Sequence, residues 1–210
     1  MASTQSRTSP DLVRGDDGVL RCPWAGPSLD YRRYHDTEWG VPIRADRELY
    51  ERLCLESFQS GLSWLTILRK REAFREAFVG FDPVAVSEFD ESDVLRLLAD
   101  ARIVRHRGKI MAAITNARAL VALWAAEGEG VLAPRLERAA HPRRPASPRP
   151  AVLAQIPAAT AGSTALAREL RSLGFTFLGP TTVYSAMQAT GFVDDHLRGC
   201  QGATIPLHQG

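Results

Sequence analysis

Residues 46–64 read DRELYERLCLESFQSGLSW, and the spacing of their apolar side chains decides the fold class. Leu49, Tyr50, Leu53, Cys54 and Leu55 recur at helical intervals, and Asp46 is placed to cap the first turn. The stretch is expected to be a central, mostly buried helix in which Cys54 is a small core residue. Glu56 is the exception within it. It follows three apolar positions and precedes Gln59, Gly61 and Trp64, a setting in which a carboxylate is costly unless something pairs with it. The partner is either an arginine or helix terminus of the protein itself or the edge of a bound ligand. Gly61 is expected to let a ligand or a neighbouring backbone approach closely.

Outward from this stretch the helical period continues. Ser63 is expected to cap a helix whose Trp64, Ile67, Leu68, Phe74 and Phe78 face inward and which stops near Gly80. Asp82 with Pro83, and the acidic cluster Asp90 to Asp93, open two short helices. A longer one begins at residues 107–109 and ends at the turn from Gly128 to Gly130. Residues 131–150 are rich in arginine and proline and are expected to form a basic loop with room for one short helix. Ser163 caps a further helix that Gly174 ends, and Pro180 with Thr181 introduces another containing Val183, Tyr184, Met187 and Phe192. Only Phe175 to Leu178 reads as extended, and one fragment does not make a sheet. The class is all-α: a single helical domain over 21–200, with flexible tails at 1–20 and 201–210.

At 210 residues and 45% hydrophobic content, one domain with a sizeable core is expected. The net charge of +2 neither demands nor excludes a polyanionic partner. Met1 to Pro10 is polar, and the longest apolar run, Leu120 to Ala126, is too short to span a bilayer. These features predict a monomeric cytoplasmic protein without a membrane partner. Three cysteines are too few for a disulfide scaffold.

Two of those cysteines lie near the chain ends. His196 and Cys200 are four residues apart, which on a helix stacks both on one face, and Cys22 with His35 forms a second pair. Two thiolates and two imidazoles make the tetrahedral set that zinc favours, with no open position, so such a site would be structural and would tie the chain ends together. Spacing alone leaves equally open that the four are unliganded core or surface residues. His106, His141 and His208 are not assigned as ligands.

Trp24, Tyr31, Tyr34, Trp39 and Trp64 concentrate aromatic area in one stretch. Core packing accounts for such residues singly; as a cluster beside one buried acid they suit the flat walls and polar edge that a flipped nucleobase needs. Arg102, Arg105, His106, Arg107 and Lys109, with Gly108 at a helix start, form a basic connection. It is either a solvated surface or an anchor for DNA phosphates. Arg135, Arg138, Arg143, Arg144 and Arg149 offer a second basic surface.

Several of these segments carry longer ordered motifs: Cys22-Pro23-Trp24, YHDTEWGVP from Tyr34, LCLESFQSGLSW from Leu53, RHRGKI from Arg105, GFTFLG from Gly174 and YSAMQATGFVDDHLRGC from Tyr184. Together they resemble the 3-methyladenine DNA glycosylase I family, a branch of the helix-hairpin-helix glycosylases, over roughly residues 21–124 and 153–200. The resemblance implies that Cys22, His35, His196 and Cys200 hold one structural Zn²⁺. It makes Glu56 the base-reading acid, Tyr34 and Trp64 pocket residues with Trp24, Tyr31 and Trp39 around them, and Arg102 to Lys109 the DNA-binding hairpin. The implied activity is monofunctional hydrolysis of the N-glycosidic bond of 3-methyladenine in alkylated double-stranded DNA. The competing readings are a non-catalytic zinc-stabilised protein that binds alkylation damage, and a zinc hydrolase of small molecules. The chain departs from the family pattern at Ser57, Phe58 and Ser60, where a differently shaped pocket rim is expected, at Arg102, where a glycine is usual, and over 131–150.

Overall fold

The computed structural model describes residues 8–26, 28–140 and 148–202. Its centre is helix α2 (Asp46–Gln59), whose Leu49, Tyr50, Leu53, Cys54, Leu55 and Phe58 are fully enclosed. Around it stand α3 (Trp64–Ala77), α6 (Arg107–Glu127), α7 (Leu132–Ala140) and α9 (Pro180–Ala189), all packed directly on α2. The outer helices are α1 (Leu29–Thr37), α4 (Pro83–Ser87), α5 (Glu91–Ala99) and α8 (Ala161–Ser172). Phe58, Phe74, Phe78 and Phe81 join in one aromatic stack, with Phe78 and Phe81 parallel at 5.3 Å. Each such burial is worth about 1.5–3 kcal/mol, which is why the α2–α3 pair is the natural foundation for a site.

Most helix starts lie where the caps are in the sequence. The Ser63 hydroxyl accepts from the Thr66 amide, Asp82 accepts from Val84 and Ala85 ahead of Pro83, and Asp90 with Asp93 completes a capping box. Helix α6 has an apolar stretch long enough to cross a bilayer, but half of that stretch is buried, packed against α2, α4 and α5 as a core helix.

Four expectations need correction. Asp46 does not cap its own helix, whose N-cap is Ala45; its carboxylate is buried and accepts from Trp124 Nε1 and from the amides of Gly130, Val131 and Leu132. It therefore satisfies the free N–H groups that open α7, and that contact orders the start of a stretch expected to be a loop with room for one short helix. Helix α7 occupies much of the arginine- and proline-rich stretch because Leu132, Leu136 and Ala140 lie on one buried face; residues 141–147, and with them His141, Arg143 and Arg144, lie outside the described residues, as does His208. Helix α8 begins earlier than Ser163, which sits at the third helical position and reciprocates the Thr160 cap. The described part of the N-terminal tail is built in: β1 (Val13–Arg14) pairs antiparallel with β2 (Leu20–Arg21), and the Ser9 amide donates to Arg198 O at 2.7 Å.

Gly61 and Gly191 show two different needs for glycine. Gly61 adopts φ +80° with open space where a Cβ would stand, so it serves the left-handed turn that ends α2 and not a close approach. At Gly191 a Cβ would lie 2.5 Å from Gly40 O, so the end of α9 meets the 40–42 segment backbone to backbone. That contact seats α1 and its aromatic neighbours against α9.

Candidate functional site

A cavity of about 330 Å³ opens between α1, α2, α3 and α9. All six residues expected to form a base pocket line it: Trp24, Tyr31, Tyr34, Trp39, Glu56 and Trp64. They hold one another in fixed geometry. Trp24 meets Trp39 edge-on at 5.0 Å and Tyr31 edge-on at 5.8 Å, while Tyr34 and Trp64 lie 5.3 Å apart. The Tyr31 hydroxyl accepts from the Leu65 amide at 3.0 Å and so anchors α1 to the start of α3. Arg52, one turn before Glu56 on α2, donates to the Tyr34 hydroxyl at 2.9 Å and lies over the Tyr34 and Trp64 rings.

Glu56 is 7% exposed, and among the described residues nothing donates a hydrogen bond to its carboxylate. Burial raises its pKa to about 7, with the nearby Arg52 charge pulling the other way. The Trp64 indole N–H is likewise buried without an acceptor. An unpaired acid in an aromatic cavity is a recognition site awaiting a flat ligand with a polar edge.

The sequence reading missed Gln59, Leu153, Ile156, Ser185 and Gln188, which complete the lining. Leu153 and Ile156 come from a short 3₁₀ turn with no periodic signal; Ser185 and Gln188 are polar residues of α9 that only the fold aims at the cavity. Leu62, 42% exposed, stands on the turn between the lining residues Gln59 and Trp64. The departures beside Glu56 lie outside the cavity lining. Ser57 and Phe58 face the core, and Ser60 ends α2 outside the cavity lining.

The chain ends meet beside this cavity. The ligand atoms of Cys22, His35 and Cys200 lie within 4.8 Å of one another, all buried, and His35 Nε2 is 3.5 Å from Cys200 Sγ. His196 approaches His35 edge-on at 5.1 Å, and its buried Nε2 has no hydrogen-bond partner among the described residues. Each imidazole is oriented by a carboxylate, Asp36 on His35 Nδ1 and Asp194 on His196 Nδ1, both at 2.8 Å, which turns His35 Nε2 to the Cys200 thiol and leaves His196 Nε2 free of both carboxylates. The bond between the two thiols lowers the Cys200 pKa, helped by His35, and raises that of Cys22 together with burial. Two buried thiols and an imidazole nitrogen gathered this closely, with a second imidazole ring 5.1 Å from that of His35, are the donor chemistry of a metal site, so Cys22, His35 and Cys200 could hold an ion. The i, i+4 argument that paired His196 with Cys200 does not hold: residues 194–197 are irregular, and a turn from Leu197 O to the Cys200 amide brings the two together.

The basic connection between α5 and α6 is divided in its duties. Arg105 is exposed and makes no ion pair or hydrogen bond among the described residues. The His106 side chain caps α6 by accepting from the Lys109 amide, and no described acceptor takes the Arg107 and Gly108 amides. Arg102 is paired with Asp100 and Glu76, and Arg107 with Glu91. Phe177, 49% exposed at φ 57°, packs its ring 6.2 Å from that of His106.

Lys109 is misplaced in the sequence reading. It is 6% exposed, and its ammonium donates to the Phe58 carbonyl at 2.9 Å and to that of Ser60, the unsatisfied C-terminal carbonyls of α2. It is an internal tie between the connection and the cavity helix, not a surface cation. Lys109→Met is expected to cost about 1–3 kcal/mol, since two acceptors lose their donor. Urea unfolding reads that loss. The salt dependence of DNA binding should not change, whereas a phosphate contact would lower it.

The model of the methyladenine glycosylase family matches residues 24–203. The chain is 46% identical over 180 residues to DNA-3-methyladenine glycosylase 1 of Escherichia coli strain K12, covering 86% of this chain and 95% of that protein. It is 40% identical to the DNA-3-methyladenine glycosylase of Haemophilus influenzae, covering 87% and 97%. A crystal structure of 3-methyladenine DNA glycosylase I superposes with a TM-score of 0.79 at 45% identity, covering 86% of this chain and 97% of the other. A variant of 3-methyladenine DNA glycosylase I in complex with 3-methyladenine is also similar, with a TM-score of 0.79 at 33% identity, covering 87% and 96%.

Proposed function

This chain belongs to the methyladenine glycosylase family, and on that premise we propose that its aromatic cavity receives 3-methyladenine flipped out of alkylated DNA while Glu56 holds the base during hydrolysis of its N-glycosidic bond. The unpaired Glu56 carboxylate, buried among Tyr34, Trp39 and Trp64, is the observation that carries this reading.

In DNA, a purine methylated at N3 is cationic, so the bond to the sugar is already weak and strong acid catalysis is unnecessary. Flat aromatic walls suit the cationic ring, and Glu56 faces its donor edge. When the bond breaks, its electron pair returns to the purine, which leaves neutral; water adds to C1′ of the oxocarbenium-like sugar and gives up a proton. No lysine lines the cavity among the described residues, and Lys109 is tied to two carbonyls, so a Schiff base with the sugar has no amine to form it. The enzyme is accordingly monofunctional.

The connection from Arg102 to Gly108 serves as the hairpin of a helix-hairpin-helix element, with Arg105 and the Arg107 and Gly108 amides taking a phosphate. Arg102 and Arg107 reach DNA only by exchanging their carboxylate partners. Arg105→Ala is therefore expected to weaken binding to all DNA sequences and to flatten the plot of log K against log salt by about one unit. An unchanged slope would remove Arg105 from the interface.

Zn²⁺ is the ion that two thiols and two imidazoles favour, and with four protein ligands it supplies cohesion between the chain ends and no chemistry at the sugar. The deciding experiment is incubation of the protein with alkylated DNA and chromatography of the released bases. Release of 3-methyladenine without strand cleavage is expected. Binding to damaged duplex with no release would make the protein a damage sensor instead.

A further inference from the structure

We infer that Gln188 is a second base-reading residue, an acceptor that selects a purine carrying an amino group at C6 over one carrying a carbonyl there. The inference rests on the glycosylase reading of the cavity. Gln188 stands on α9 and lines the cavity together with Glu56. Its Nε2 donates to Asp195 Oδ2 at 2.8 Å, and the same oxygen accepts the Tyr184 hydroxyl. Asp195 and Tyr184 are both buried.

The chemistry of the partner fixes the amide. A carboxylate only accepts, so it can bind the NH₂ corner of glutamine and never the carbonyl corner. With the nitrogen held on Asp195, the carbonyl Oε1 is the acceptor Gln188 has left for the cavity, and among the described residues nothing donates to it. The Tyr184 bond to the same carboxylate resists a flip of the arrangement. The cavity thus presents two acceptors, Glu56 and Gln188 Oε1. An exocyclic amine supplies two N–H donors; a carbonyl at that position supplies only lone pairs and leaves the acceptors facing an acceptor. A site built this way rejects the wrong purine through unpaired buried groups as well as lost bonds.

The test titrates tryptophan fluorescence of the intact protein with free 3-methyladenine and with 3-methylhypoxanthine, its counterpart with a C6 carbonyl. The wild type should favour 3-methyladenine by about tenfold, as expected for one well-placed reading contact. Gln188→Met, close in shape but without an acceptor, should bring the two affinities within about threefold by the same reasoning. Gln188→Glu should keep the preference, because a carboxyl sharing a proton with Asp195 still turns an oxygen to the cavity. If Gln188 merely braced Asp195, Glu would be the more harmful change, since it sets two acids together. A preference unchanged in Gln188→Met, or lost as fully in Gln188→Glu, overturns the inference; should the methionine variant fail to fold, the glutamate variant alone decides. The base-release assay on wild-type protein is separate, so a binder that discriminates but releases nothing would defeat the glycosylase reading and leave this one standing.

Discussion

Glu56→Gln is expected to slow release of 3-methyladenine by about 10²-fold or more while making the protein more stable above pH 7. Both effects come from one fact: the carboxyl is buried without a donor, and burial holds its pKa at about 7. Between the ordinary glutamate value and pH 7 the folded chain keeps a proton that the unfolded chain gives up, so the folded state binds more protons and stability falls as pH rises through that window. Above pH 7 the penalty is fully present and amounts to roughly 3–4 kcal/mol at about 1.4 kcal/mol per pH unit. Glutamine has the same shape and no charge to desolvate, so the variant should melt higher than wild type at pH 8 and level with it below pH 4. Loss of activity follows because the carboxylate is the group that offsets the charge of the cationic purine. Wild-type release should accordingly rise with pH through about 7 as Glu56 ionises, and the glutamine variant should lose that rise. Thermal melts and single-turnover release across pH read both. Full activity in the variant would end the case for Glu56 as the reading group, and an unaltered pH dependence of stability would mean the carboxyl is solvated.

Removing the proposed zinc is expected to be the second large effect. Structural zinc in small peptides contributes about 10–16 kcal/mol, and here the ligand set joins Cys22 and His35 near one chain end to His196 and Cys200 near the other. Chelation, or Cys200→Ala, is expected to lower the melting temperature by more than about 10 °C, since several kcal/mol are lost from a domain of this size. Base release should decline with the fold and not before it, because Trp24 and Trp39, which line the cavity, pack directly on the His35 ring. Metal analysis of the purified protein should find one zinc per chain. A metal-free protein whose melting is indifferent to chelator would show that the buried thiols and imidazoles simply pack.

The two predictions differ in how visible their residues were in the sequence. Glu56 stood out because a charge amid Leu53, Cys54 and Leu55 breaks the apolar period of its helix, and the aromatic residues stood out by density. Gln188 and Ser185 carried no such mark. A polar residue on an amphipathic helix reads as solvent-facing, and only the packing of α9 on α2 turns these two inward. Lys109 shows the converse. In a run of basic residues it reads as one more surface charge, yet it points back at the end of α2, where two carbonyls had no helical partner.

Local chemistry sufficed for the all-α class, for most helix starts and for six of the residues that line the cavity, because capping, apolar period and aromatic density act within a few residues of chain. What only the tertiary structure decided involves partners far apart in sequence. Asp46 orders α7 from 86 residues away, the N-terminal segment is held by a strand pair and by Arg198 O, and Cys200 reaches Cys22 and His35 through a turn and not along a helix. A buried polar group must be satisfied by whatever the fold brings to it, and a linear chain does not state which distant group that will be.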